Sequence, residues 1–150
     1  MSVVNQRRYR VLFLCTHNSA RSQMAEGWLR HRHSHRFEAH SAGTEAAAIR
    51  PLAIRAMQEI GVDTSGQQSN MLDQYLHQPW DYVITVCDQA NQACPVFPGG
   101  EHRLHWSVPD PSEARGSHEE QLAVYRQVRD QLRRCIDQFV DHTEGEPHAR

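Results

Sequence analysis

Between Val11 and Leu29 the chain changes its hydrophobic period, and that change constrains the fold more than any other stretch. Val11, Leu12, Phe13 and Leu14 follow one another without a polar residue. An unbroken apolar run of that length reads as a strand buried on both faces, the sign of a parallel sheet covered by helices. From Arg21 to His31 the apolar residues Met24, Ala25, Trp28 and Leu29 recur at helical spacing, with Glu26 and Arg30 four apart on the side read as exposed. Thr16 to Ala20 must then turn the chain from strand into helix. Cys15 stands at the carboxyl end of the strand, where open α/β sheets bind their ligands.

The rest of the chain repeats the alternation. Phe37 to Ala42 reads as a second strand closed by Gly43, and Pro51 to Ile60 as a helix with proline in its first turn and Gly61 past its end. A short helix is predicted over Met71 to Leu76, a strand over Tyr82 to Val86 and a weaker strand over Leu104 to Trp106. Val108 to Gly116 is rich in turn residues. Leu122, Tyr125, Val128, Leu132, Ile136 and Phe139, at spacings of three and four, place a long amphipathic helix over Glu119 to Val140. Strands alternating with helices imply right-handed crossovers and an α/β fold with a doubly wound parallel sheet, helices on both faces. Cys15 and Cys87 each follow a strand, so adjacent strands would put both thiols on one rim.

A chain of 150 residues holds one domain with a single core, its ordered part expected over about 9–142 and residues 143–150 as a flexible tail. The net charge of −2 supplies no broad basic field, so neither a nucleic acid nor an anionic membrane is an expected partner. All the basic residues in the Lys+Arg count are arginine, which removes Schiff-base chemistry and a Walker-type lysine. The run Val11 to Cys15 is too short for a signal-peptide core or a membrane span, and a cytoplasmic monomer is expected. Four cysteines (Cys15, Cys87, Cys94, Cys135) without a CxxC pair argue against a disulfide framework or a zinc ribbon.

The residues that carry chemistry are Cys15-Thr16-His17-Asn18-Ser19-Ala20-Arg21-Ser22. A loop of this length between a buried strand and a helix can curl so that successive backbone N–H groups point at one tetrahedral oxyanion, at the positive end of the helix dipole. Arg21 adds a planar fork for two of the anion's oxygens. The same positive surroundings keep Cys15 as a thiolate nucleophile, and Ser22 can donate a hydrogen bond to its sulfur.

The stretch V-L-F-L-C-T-H-N-S-A-R-S-Q-M-A-E, with the Ser41-Ala42-Gly43 turn and the later Asp110-Pro111, resembles the low-molecular-weight protein tyrosine phosphatase superfamily. The resemblance runs from Val11 to the last helix. It implies a four-stranded parallel sheet, an oxyanion loop matching Cys15 to Ser22, and a general acid matching Asp110. Pro111 independently disfavours helix at Asp110 and supports an extended position over the site.

Within the superfamily, V-C-D-Q-A-N-Q-A-C-P, with Cys87 and Cys94, resembles the thioredoxin-coupled arsenate reductases, as does Gln23, where phosphatases typically carry proline. Ser112-Glu113-Ala114-Arg115 lacks the aromatic rim of a phosphotyrosine site. The resemblance implies an arsenate reductase of arsenic detoxification. Cys15 would attack arsenate held by Thr16 to Ser22, and a Cys15/Cys87/Cys94 disulfide relay would be reduced by thioredoxin. The alternatives are a phosphatase acting through a phosphocysteine and a non-catalytic oxyanion or redox sensor. If Cys87 to Cys94 were helical, their α-carbons would lie roughly 10 Å apart, beyond disulfide reach, so the segment is expected to unwind on oxidation.

Two features depart from the pattern: Ala20 stands where many relatives have a second cysteine, and His17 where glycine is common. Some relatives bind a potassium ion through residues matching Asn18, Glu26, Ser41 and Asn70, the last acidic in them and neutral here. These side chains are expected instead to hold the loop by hydrogen bonds. No cofactor or metal site is expected: His31, His33 and His35, two apart, do not share a helix face, and His40 lies beyond them. Cys135 reads as a small, partly buried side chain without a role.

Overall fold

The computed structural model describes residues 7–45, 47–88 and 96–144. Strands β1 (Tyr9–Leu14), β2 (Phe37–Ala42), β3 (Tyr82–Thr85) and β4 (His102–His105) form one parallel sheet in the order β2-β1-β3-β4. β1 is an inner strand for the reason its apolar run implies: Val11 to Leu14 have no exposed surface at all. Alternation then divides the core. Val11, Phe13 and Cys15 pack with helices α1 (Arg21–His33), α2 (Pro51–Gln58) and α3 (His118–Glu144) on one face. Leu12 and Leu14 face Leu72, Tyr75, Trp80 and Phe97 on the other.

The two faces are covered unequally. The helix predicted over Met71 to Leu76 is a single 3-10 turn, Leu72–Tyr75, and loop residues complete that layer. On the opposite face α1 and α3 are tied by the Trp28 indole N–H donating to Asp137 at 2.9 Å, and α3 reaches α2 through Arg129, which donates to Ala56 O at 2.9 Å.

Helix α3 is longer than its apolar spacing implied. It begins at His118 behind a reciprocal cap: Glu120 N donates to Ser117 Oγ at 3.1 Å, and Ser117 N donates to Glu120 Oε1 at 2.8 Å. It ends at Glu144, so Thr143, assigned above to the tail, is buried helix with its hydroxyl on Phe139 O at 2.8 Å.

Candidate active site

The loop after β1 is shaped by where its carbonyls go. Thr16 O accepts from Glu45 N at 2.9 Å, Asn18 O from Gln23 Nε2 at 3.0 Å and Ser69 Oγ at 2.9 Å, and Ser19 O from Arg50 N at 2.9 Å. In a trans peptide the C=O and the following N–H point in opposite directions, so His17, Ser19 and Ala20 turn their N–H groups away from these outer partners, toward the inside of the loop. Asn18 makes the turn possible with φ +50°, a left-handed conformation that asparagine tolerates better than most residues. Gly43 allows the loop to settle on β2, because a β-carbon there would come within 2.5 Å of Thr16 O and 2.8 Å of Cys15 O. The sequence had marked Gly43 as a strand terminator and as part of the Ser41-Ala42-Gly43 turn, without this contact.

The helix behind the loop starts without a cap. Ala20 occupies the N-cap of α1 and offers no side-chain acceptor, and no acidic residue stands in the first turn. The positive end of α1 is thus left for an external anion. Arg21, 3% exposed, donates to Val108 O at 3.1 Å and lies 3.6 Å from Asp110 Oδ2. Asp110 is extended, as its proline neighbour implied, and its other oxygen accepts from Ser112 N at 2.9 Å and Ser112 Oγ at 2.7 Å. The second oxygen is thereby turned toward Arg21.

Cys15 is buried with a free thiol, its sulfur 2.8 Å from Ser22 Oγ. The donor in that pair follows from the neighbours. Asn18 Oδ1 accepts from Asn70 N at 2.8 Å, which fixes the orientation of the amide, and Asn18 Nδ2 donates to both Ser22 Oγ and Ser41 Oγ at 2.8 Å. Ser22 Oγ already accepts a proton from Asn18, so its own is directed to the Cys15 sulfur. Ser41 Oγ likewise passes its proton to Glu26 Oε1.

Glu26 corrects the sequence reading. It was placed on the exposed side of α1, but it is 6% exposed and its second oxygen accepts from Arg30. These contacts decide the fit of a potassium ion. The Glu26 carboxylate is shared between Ser41 and Arg30, the Asn18 amide oxygen is taken by Asn70, and Asn70 carries no charge. The residues do not fit a monovalent cation.

Cys87 lies on the same rim. Val86 N donates to Leu14 O at 2.9 Å, which holds the stem of Cys87 beside the end of β1, and Cys87 is buried and bonded in a disulfide. Cys94, and with it the expected unwinding between Cys87 and Cys94, falls outside the described residues. His17, at the outer edge of the loop, has its Nδ1 3.3 Å from Glu45 O. Of the histidines weighed above, His33 pairs with Asp137 at 3.2 Å and His40 with Glu38 at 2.7 Å. Burial pushes the thiol of the half-buried Cys135, on α3, up.

The family model described as low molecular weight phosphotyrosine protein phosphatase matches residues 10–147. The chain belongs to this family. Among its relatives in the phosphatase family, a protein of Halalkalibacterium halodurans named arsenate reductase is 45% identical over 131 residues, 87% of this chain and 94% of that one. The Bacillus subtilis protein of the same name is 40% identical over the same shares. A solved arsenate reductase in a phosphate-binding state superposes with a TM-score of 0.76 at 30% identity, covering 89% of this chain and 98% of that chain. The four-stranded parallel sheet with helices described above is the fold of this family.

Proposed function

We infer that this member of the phosphatase family is an arsenate reductase coupled to thioredoxin. Arsenate is a tetrahedral oxyanion like phosphate, and the loop from Cys15 to Ser22 offers it inward N–H groups, an uncapped helix start and the Arg21 guanidinium. The observation that carries the reductase reading over the phosphatase one is the second redox cysteine. Cys87, at the end of the strand next to β1, is in a disulfide while Cys15 is a free thiol. A phosphocysteine mechanism ends with water and needs no second thiol on the rim. A solved relative from Corynebacterium glutamicum, named a thioredoxin-dependent arsenate reductase, aligns at a TM-score of 0.64 and 29% identity, with 90% of this chain and 63% of that chain covered.

In this reading the Cys15 thiolate, held by the Ser22 hydroxyl, attacks arsenic. An oxygen leaves as water with a proton from Asp110. The Cys87 thiolate then attacks the Cys15 sulfur: a sulfur–sulfur bond forms, the sulfur–arsenic bond breaks, and its electron pair stays on arsenic as arsenite. Cys94 attacks Cys87, releases Cys15 as thiolate and leaves a Cys87–Cys94 disulfide for the thioredoxin dithiol to reduce. Each later step is thiol–disulfide exchange and needs no metal. We place this chemistry in the cytoplasm, in a monomer; no helix among the described residues is long and apolar enough to cross a membrane.

The test is arsenate-dependent NADPH oxidation with thioredoxin and thioredoxin reductase, with Cys15→Ser as the blank. Sustained turnover in the wild type, none in the blank, and at most one turnover in Cys87→Ser is the expected result. Absence of turnover in a wild type that still hydrolyses p-nitrophenyl phosphate would replace this reading with the phosphatase one.

A further inference from the structure

Along the loop after Cys15 most carbonyls are held by backbone N–H groups. Thr16 O accepts from Glu45 N at 2.9 Å, His17 O from Ala47 N at 3.0 Å, Ser19 O from Arg50 N at 2.9 Å and Ala20 O from Met24 N at 2.8 Å. Asn18 O is the exception: among the described residues its donors are side chains, Gln23 Nε2 at 3.0 Å and Ser69 Oγ at 2.9 Å. Ser69 brings a single proton and faces a second carbonyl, Ala47 O. Gln23 brings two protons to two carbonyls, Asn18 O and, at 2.9 Å, Gln68 O. Its Oε1 accepts from Gln67 Nε2 at 2.7 Å, so both ends of the amide are taken and its orientation is settled. Gln23 is fully buried, and Gly27 lets the segment that covers it approach α1: a β-carbon there would come within 2.6 Å of Thr64 Cγ2 and 3.2 Å of Gln67 Oε1.

We propose that Gln23 is a positioning residue for the oxyanion, holding the Asn18–Ser19 peptide with its carbonyl outward and the Ser19 N–H inward. Rotation of that one peptide would put a carbonyl oxygen where the anion binds. The neighbouring bonds hold other groups: Asn70 N takes the Asn18 side chain, and Arg50 N takes the carbonyl of the next peptide. Arg21 and the start of α1 attract an anion whichever way the peptide lies, and Gln23 decides whether Ser19 joins them. An anion that had to turn the peptide for itself would lose part of its binding free energy to the rotation, so Gln23 contributes preorganisation. The inference rests on the loop being an oxyanion site, not on arsenate being reduced there.

The test is a titration of the reduced full chain with inorganic phosphate, which the loop can hold but not reduce, followed through the amide resonances of the loop. In the wild type the His17, Ser19 and Ala20 amide protons move downfield together as phosphate binds. Gln23→Met keeps the length of the side chain and removes its donors. Its Kd for phosphate should rise about tenfold, the order of one hydrogen bond to a charged group, with the Ser19 shift falling well below those of His17 and Ala20. General damage to the loop would lower all three shifts alike. Ser69→Ala, whose proton is divided between two carbonyls, should change Kd by less than about twofold. Gln67→Ala frees the Gln23 amide without touching the loop, and gives a weaker form of the same Ser19-selective loss, about threefold in Kd, should Gln23→Met fail to fold. An unchanged Kd in Gln23→Met, an equal loss of all three shifts, or a Ser69→Ala effect as large as that of Gln23→Met overturns the proposal and leaves the oxyanion reading standing. A wild type whose loop amides ignore phosphate overturns both.

Discussion

Two helices of this protein begin in opposite ways. At the start of α3, Ser117 and Glu120 satisfy each other's backbone N–H groups, and Glu119 and Glu120 lie in a first turn that favours negative charge. At the start of α1 an alanine stands at the cap, no acid follows, and the first residue is a buried arginine. By the rules of helix stability α1 is badly begun. What it lacks is a negative partner, and the loop turns its N–H groups toward the place where that partner would sit. A capped helix start belongs to the fold, and an uncapped one beside a nucleophile is kept for a ligand.

The comparison can be broken first at Arg21. Arg21→Lys keeps the charge but loses the planar fork, and kcat/KM for arsenate should fall on the order of a hundredfold or more with little change in melting temperature. Next, Ala20→Asp would give α1 the acceptor that α3 already has. The variant should hold or gain stability while KM for arsenate rises by about tenfold or more, since its carboxylate competes for the same N–H groups. An unchanged KM would mean that the start of α1 does not bind the anion.

The reverse experiment is Ser117→Ala. Removing half of the α3 cap should cost about 1 kcal/mol in denaturant unfolding and leave kcat/KM unchanged. The smallest effect is expected where α2 meets α3. Arg126, at 2.8 and 2.9 Å, and then Arg129, at 3.0 Å, hold the Glu59 carboxyl down to about 2. A carboxyl lowered on folding stabilises the protein above its unfolded value and loses that contribution as the pH falls through the folded one. In acid unfolding curves the gap between wild type and Glu59→Gln should therefore close as the pH drops from about 4.5 to about 2. The gap is small throughout, because the pair is largely solvated.

What was legible in the sequence was whatever lies close together along the chain. The apolar run of β1, the five-residue loop and the spacing of α1 are contiguous, so the strand, the turn and the Cys15–Arg21 pairing could be read directly. The parallel sheet followed from alternation, though the order of its strands did not, and the extended backbone of Asp110 followed from its proline. Glu26 was misread because helical spacing tells which residues share a face but not what covers that face. Gln67 and Arg30 close over it from 44 and 9 residues away from their partners on Gln23 and Ala39. The cap of α3 was written as Ser-x-x-Glu, but the apolar spacing begins only at Leu122, so the first turn carried no hydrophobic signal.

By itself, then, the sequence determined a nucleophile between a buried strand and a helix, and the class of anion such a loop can hold, because local backbone geometry follows from neighbouring residues. Only the tertiary structure decided which way the protons point. The direction of the hydrogen bonds from Asn18 to Ser41 and, through Ser22, to Cys15 depends on contacts between the loop after β1, α1, β2 and the segment at Asn70. Hydrogen bonds between elements far apart in the chain have no period for a sequence to display.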